Sequence, residues 1–342
     1  MLKSRSKNPV GFKFRKLSRK DNGVALVAVL LLVVLATILA TSTVQEQQLA
    51  VRGVSSYMDR NQSEQYAMGG EELARQILYE DYLTGSDKDH LGESWASADL
   101  SYDFQSGEVD LQITDLQSLF NVNSLSRKNK RQSLSRKRFL NLAGALSVDP
   151  SVSEVFEDWL DEDVNVRPNG MEDFEYLLFD PPYRAGNDLT ADVSEVALFA
   201  YEPALYQTLR PHLVSLPDAS SHLNVNTLSA ISIRSLSKQL TNEDAESIIA
   251  VRDSDDGFDS VDEFLRLPQL AGLNIVKQGL NVQSEFFEIR VIARYREHFS
   301  YLNSILYRNP ADGSMRILSR DFSKIYRSLP SLFSSNKEDL GE

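Results

Sequence analysis

The sequence predicts an α+β fold: a long N-terminal helix packed on a small antiparallel sheet, with a large all-α domain inserted between the strands of that sheet. Three observations lead there. An uncharged apolar run over residues 24–43 continues to about Leu83 with helical periodicity. Runs of alternating hydrophobicity stand at 100–104 and 109–114 and return after Asn281. Between them, from about 124 to 280, the pattern is mostly helical, so strands flank a helical block.

The first element is also the most informative. Roughly twenty helical residues rise about 30 Å, the hydrocarbon thickness of a bilayer. Before the run stand Lys3, Arg5, Lys7, Lys13, Arg15, Lys16, Arg19 and Lys20 against the single acid Asp21. Such a flank stays in the cytoplasm, so the bulk of the chain is exported. A cleaved secretory signal would end in a small-x-small site, and Ala40-Thr41-Ser42 offers a poor one. Beyond the run, Leu49, Val54, Tyr57, Met58, Tyr66, Leu73, Ile77 and Leu78 recur every three or four residues, which carries the helix onward. Gly69-Gly70 predicts a weak interruption, since each glycine costs about 1 kcal/mol against alanine.

The remaining elements follow from turn chemistry. Ser106-Gly107 predicts a hairpin between the first two strands. Pro150, Pro168-Asn169-Gly170, Pro181-Pro182 and Pro217 mark loops within the helical block. In the later β region Ile289, Val291, Ala293 and Tyr295 alternate with polar residues, and Asp312-Gly313 turns the chain into a last strand. The tail from Ser331 is polar and expected to be disordered.

Composition narrows function. Of 36 basic and 49 acidic residues, eight and one precede Val24, which leaves 28 against 48 and a charge near −20 beyond it. A body this acidic repels nucleic acid and anionic lipid. No cysteine is present, so disulfides and thiolate metal sites are excluded. The four histidines are scattered without zinc-ligand spacing, and no nucleophile triad, phosphate loop or dinucleotide fingerprint stands out.

Two charge clusters remain. Between Glu154 and Glu175 nine carboxylates accompany one base, Arg167. Asp161, Asp163, Asn165 and Glu172 fall at relative positions 1, 3, 5 and 12, the oxygen-ligand positions of a calcium loop. Val166 stands where such a loop has glycine. Spacing alone leaves two readings open, a solvated acidic surface and a cation site, and the first is commoner. Trp159 and Phe174 read as core residues flanking the loop. Arg127, Lys128, Lys130, Arg131, Arg136, Lys137 and Arg138 form a basic cluster that reads as a solvated helix face or a partner for acidic neighbours.

A basic leader ending in glycine, an apolar helix start, an amphipathic continuation and a small antiparallel sheet resemble a type IV pilin-like protein. Further segments, ESWA at 93–96, ITDLQSLFNVNSL at 113–125, DWLDEDVNVRPNGMEDFEYL at 158–177, PPYRAGN at 181–187 and LNVNTLSAISIRSL at 223–236, resemble the component K family, the large minor pseudopilins of type II secretion systems. The resemblance implies a leader over 1–23 removed after Gly23 by the prepilin peptidase, with Val24 as the new N-terminus. It further implies a transmembrane segment at 24–43, pilin-like parts at 44–115 and 282–325, an inserted helical domain at 116–281 and a flexible tail at 326–342. Most pilins carry glutamate at the fifth mature position; here Ala28 stands there, a departure that fits the resemblance because component K generally lacks this acid. The family also implies the minor pseudopilins I and J as partners, a single-pass position in the Gram-negative inner membrane with the C-terminal domain in the periplasm, and no enzymatic activity. In its acidic region it implies structural calcium held by Asp161, Asp163 and Glu172, with Asn165 and Asp173 as further ligands.

A second resemblance points elsewhere. Residues 223–236 and 244–270 resemble helix-hairpin-helix repeats of DNA-binding proteins, including a membrane-anchored DNA-uptake receptor. Those modules bind phosphate through a glycine-rich hairpin at a helix start. Residues 235–242 contain no glycine, and Glu243, Asp244, Asp253, Asp255 and Asp256 repel a phosphate backbone. The segment is therefore expected to serve packing, without a nucleic-acid partner.

Overall fold

The computed structural model describes residues 21–84, 87–97, 100–200 and 202–323. The basic stretch through Lys20 and the polar tail expected beyond 325 lie outside the described residues. Helix α1 is Asp21–Thr84, and from Gly23 it is long and apolar enough to cross a membrane. Leu26, Leu31, Leu32 and Ile38 are all exposed on it. A helix that is apolar all round is at home in lipid or against other helices rather than in water. The described residues divide into two compact units, with the boundary between Asp59 and Arg60.

Within the second unit the chain passes from α1 to β1 (Leu100–Phe104) and β2 (Gly107–Asp115), which form the hairpin expected at Ser106-Gly107. The insert follows with β3 (Phe120–Asn121), α2 (Gln132–Ala145), α3 (Val152–Leu160), α4 (Asp173–Tyr176), α5 (Val196–Phe199) and α6 (Pro203–Leu209). Then come β4 (Leu213–Val214), β5 (Leu223–Asn224), α7 (Ala230–Arg234), α8 (Asn242–Ser254), α9 (Val261–Leu265) and β6 (Leu280–Asn281). The chain returns as β7 (Phe286–Tyr295), β8 (His298–Arg308) and β9 (Met315–Asp321). The antiparallel sheet has the order β1-β2-β7-β8-β9, so the insert leaves from β2 and re-enters at its neighbour β7. The fold is thus α+β and pilin-like, with an inserted helical domain.

The last turns of α1 bury Ala67, Ala74 and Leu78 against Val109, Leu111, Ile289, Val291 and Leu302 of the sheet. Gly70 explains how closely they meet. A Cβ there would stand 2.6 Å from Val291 Cγ1 and 2.8 Å from Val109 Cγ1. The glycine pair does not interrupt the helix as expected; α1 runs through it. What Gly70 provides is the missing side chain that lets the helix approach the sheet. Glu71, buried beside it, accepts from Arg320 Nε at 2.8 Å and Nη2 at 2.7 Å, which ties α1 to β9.

The insert has two cores. One links Phe120, Phe139, Phe156, Phe199, Trp159 and Tyr176 through ring contacts of 4.8–5.3 Å between centroids. The other gathers Val225, Ile233, Ile248, Phe264 and Val282. Two features here were not expected: β3 pairs with β4, and β5 with β6, as two-residue parallel bridges. Asp115, at the point where β2 gives way to the insert, fastens the junction. It accepts from Ser284 Oγ at 2.6 Å, Asn224 Nδ2 at 3.2 Å and the Thr227 hydroxyl, and burial pushes its carboxyl up to about 6.

Candidate metal centre

Helix α3 ends at Leu160 and α4 begins at Asp173, so residues 161–172 form the loop that carries the acidic spacing. Helix α3 buries Val155, Phe156, Trp159 and Leu160, and the same turns bury Glu157 and Asp158. A buried carboxylate needs donors. Arg167 supplies them by folding back: its backbone N–H donates to Asp158 Oδ2 at 3.0 Å, its Nη1 reaches Asp158 and, at 2.6 Å, Asp161 Oδ2, and its Nε lies 3.2 Å from Glu157 Oε2. Gly170 permits this closure, since a Cβ there would fall 1.8 Å from Asp158 Oδ2.

The folded loop brings Asp161, Asp163 and Glu172 together, with one oxygen of each within 4.8 Å of the others. Asp161 and Glu172 are each only 3% exposed. Asp161 Oδ2 also meets Arg127 Nη2 at 3.3 Å, and Asp163 Oδ2 accepts from Arg127 Nη1 at 2.6 Å. Backbone donation from Asn165, then Arg127, holds the Asp163 carboxyl below its ordinary range. Glu172 differs from both. Its two carboxylate oxygens are buried and have no hydrogen-bond partner among the described residues. Burial, followed by the charges of Asp158, Asp161, Asp163 and Asp173, pushes its carboxyl up to about 7. Two orphaned buried oxygens facing two other carboxylates form a donor set that suits a hard cation with oxygen ligands.

The other two residues expected as ligands are placed differently. Asn165 is exposed, and its Nδ2 donates to Asp163 Oδ1 at 2.8 Å. Asp173 is engaged by Arg184 Nη1 at 3.0 Å and by the Ala185 backbone N–H at 3.0 Å, outside the triad. Trp159 is buried as expected, but Phe174 is 72% exposed. Helix α4 has a single turn, and Tyr176 occupies its core-facing position, which turns Phe174 outward.

Part of the basic cluster proves to be the partner of the acidic one. Besides Arg127, Lys128 lies 3.8 Å from Glu162 and Arg136 reaches Glu157 at 2.7 Å, while Lys128 also pairs with Asp188 at 2.5 Å. Arg138 is buried and donates to the backbone carbonyls of Val276, Gln278 and Gly279. No sequence signal showed these pairings, because they join positions up to 141 residues apart. Residues 235–241, the hairpin of the second resemblance, join α7 to α8. There Arg234 is spent on Asn242 Oδ1 at 2.8 Å and on backbone carbonyls. At the other end of the chain, Gly23 and Val24 lie in the first turn of α1, and a Cβ on Gly23 would meet no atom within 4 Å.

Comparison with known proteins gives a consistent result. Family models described as type II secretion system (T2SS), protein K match residues 118–218 and 223–283. Those stretches follow the two cores of the insert. Type II secretion system protein K of Pseudomonas aeruginosa is 33% identical over 324 residues, covering 92% of this chain and 96% of that protein. Its namesake in Klebsiella pneumoniae is 31% identical over 286 residues, covering 79% and 87%. A chain from the crystal structure of the GspK-GspI-GspJ complex of the enterotoxigenic Escherichia coli type 2 secretion system superposes with a TM-score of 0.70 at 26% identity, covering 80% of this chain and 99% of that one. The present chain belongs to the type II secretion system protein K family.

Proposed function

We propose that the protein is the minor pseudopilin that caps the tip of the periplasmic pseudopilus and so supports export of folded proteins across the outer membrane. The observation that carries this reading is the placement of the insert. It departs from β2 and returns at β7, leaving the pilin-like helix and five-stranded sheet complete while adding two further cores to the subunit. A subunit enlarged in this way ends a stack of pilin helices instead of repeating through it. The role is structural rather than enzymatic. Its partners are the minor pseudopilins I and J, the proteins with which the similar E. coli chain was solved. The exposed apolar part of α1 serves twice: it anchors the unassembled subunit in the inner membrane, then exchanges lipid contacts for those of neighbouring helices.

Two finer parts belong to the same proposal. The prepilin peptidase cuts after Gly23 and leaves Val24 as the N-terminus. Calcium binds structurally at Asp161, Asp163 and Glu172, and the orphaned oxygens of Glu172 support it. Calcium there would cross-link the loop between α3 and α4 and neutralise its carboxylates.

Intact mass and N-terminal sequencing of protein recovered from membranes with and without the peptidase test the assignment. The expected result is a peptidase-dependent start at Val24. Gly23→Val, which meets no steric obstacle in the folded chain, should leave the leader attached and stop secretion. Normal processing of that variant would remove Gly23 from the cleavage site.

A further inference from the structure

We infer that Arg127 is a built-in competitor for the cation: its guanidinium holds the ligand oxygens of Asp161 and Asp163 and must leave them for calcium to enter. The inference rests on the calcium reading above and adds a regulating residue to it.

Two arginines touch the acidic loop, and they are not equivalent. Arg167 is 19% exposed at its side chain and is gripped by Glu157, Asp158 and Asp161. If a cation took Asp161, Arg167 would still keep Glu157 and Asp158 and would remain in place as part of the loop. Arg127 is 57% exposed, and its ion pairs go to Asp161 Oδ2 and Asp163 Oδ2, one nitrogen to each. It therefore bridges two of the three proposed ligands from the solvent side. A divalent cation needs those negative charges, and a guanidinium beside it is a like charge on the same oxygens. Glu172, the third ligand, has no such occupant among the described residues. Arg127 thus covers Asp163 and shares Asp161 Oδ2 with Arg167 Nη1, which lies nearer at 2.6 Å, while Glu172 stays open.

The test uses the full-length protein in detergent micelles, with calcium chloride titrated calorimetrically and thermal melts recorded in calcium and in EGTA. Arg127→Gln removes the charge and Arg127→Lys keeps it. The expected result is that wild type binds calcium, that Arg127→Gln binds about tenfold tighter, equivalent to about 1.4 kcal/mol, and that Arg127→Lys stays near wild type. In EGTA, Arg127→Gln should melt below wild type, and its calcium-induced shift should be larger. Equal or weaker binding by Arg127→Gln, with wild type still binding, would overturn the competitor role and leave the calcium reading intact. Absence of any heat or melting shift in wild type would overturn both.

Discussion

Among the described residues, two carboxylate triads have the same composition in kind and differ in how far the chain supplies donors to their oxygens. Asp81, Asp89 and Glu93, beside the C-terminal end of α1, bring one oxygen each within 4.8 Å, as Asp161, Asp163 and Glu172 do in the insert. In the first triad the protein itself supplies the donors. Arg308 reaches Asp81 at 3.1 Å and also bonds Asp89, while lying 4.8 Å from the Phe287 ring centroid. The Ser284 backbone donates to Asp89 at 2.7 Å, and Glu93 Oε2 accepts from Trp95 Nε1 at 2.6 Å and from the His90 backbone at 3.0 Å. In the second triad Glu172 stands at the N-cap of α4 with its carboxylate facing the Glu175 backbone, and neither of its buried oxygens has a hydrogen-bond partner among the described residues. Nearness of acids therefore says little about a metal. The informative quantity is how many buried oxygens the chain leaves without a donor.

The largest effect should come from breaking the satisfied triad. Arg308→Ala leaves buried carboxylates without their counterion, a change that costs about 3–5 kcal/mol in comparable buried pairs. Chemical denaturation with and without calcium measures it. The loss should be the same in both, because that triad was closed by the protein; recovery on adding calcium would erase the distinction between the two triads.

Next in size is the loss of calcium stabilisation in the second triad. A ligand at a hundred times its dissociation constant stabilises by about 2.7 kcal/mol. Glu172→Gln, and separately Asp161→Asn with Asp163→Asn, should lose most of the calcium-dependent rise in melting temperature. Glu172→Gln should also melt slightly above wild type in EGTA, since it removes a buried charge that faces like charges. An unchanged calcium shift in these variants would place the cation elsewhere.

The comparison also marks where sequence reasoning reached its limit. The apolar start of α1, the hairpin of β1 and β2 and the last strand were legible because helix period, strand alternation and turn residues are local. The turn between β7 and β8 was not singled out; it falls at Arg296, which adopts a positive φ of 53° without a glycine to mark it. Gly70 was misread because its function depends on Val109 and Val291, far along the chain. At the site, spacing marked Asp161, Asp163, Asn165 and Glu172 and left a solvated surface as the commoner reading; the resemblance favoured Asp161, Asp163 and Glu172, and these three converge while Asn165 stays exposed. The arginines could not be assigned from spacing, because Arg127 meets Asp163 across 36 residues only after α3 packs beside the start of α2. Likewise the Asp81 triad escaped notice, since its acids belong to α1 and to the loop after it, and its base to β8.

Changing pH sharpens the contrast between the triads. Burial, then the charges of Glu93 and Asp89, pushes Asp81 from its ordinary 3.8 up to about 7, with Arg308 offsetting part of the rise. Glu172 likewise moves up to about 7. Each acid holds its proton in the folded chain to higher pH than in the unfolded one. Its contribution is therefore fully present below the unfolded value and is lost as pH rises through about 7. In EGTA both triads contribute, so stability should fall as pH is raised through this window. With saturating calcium the Glu172 part should vanish or reverse, because ligand carboxylates must be ionised and binding strengthens as pH rises. The Asp81 part should persist, and Asp81→Asn should remove it in either medium. Melting temperatures between about pH 4.5 and 7.5 measure this; slopes that are identical with and without calcium would mean that Glu172 does not meet the cation.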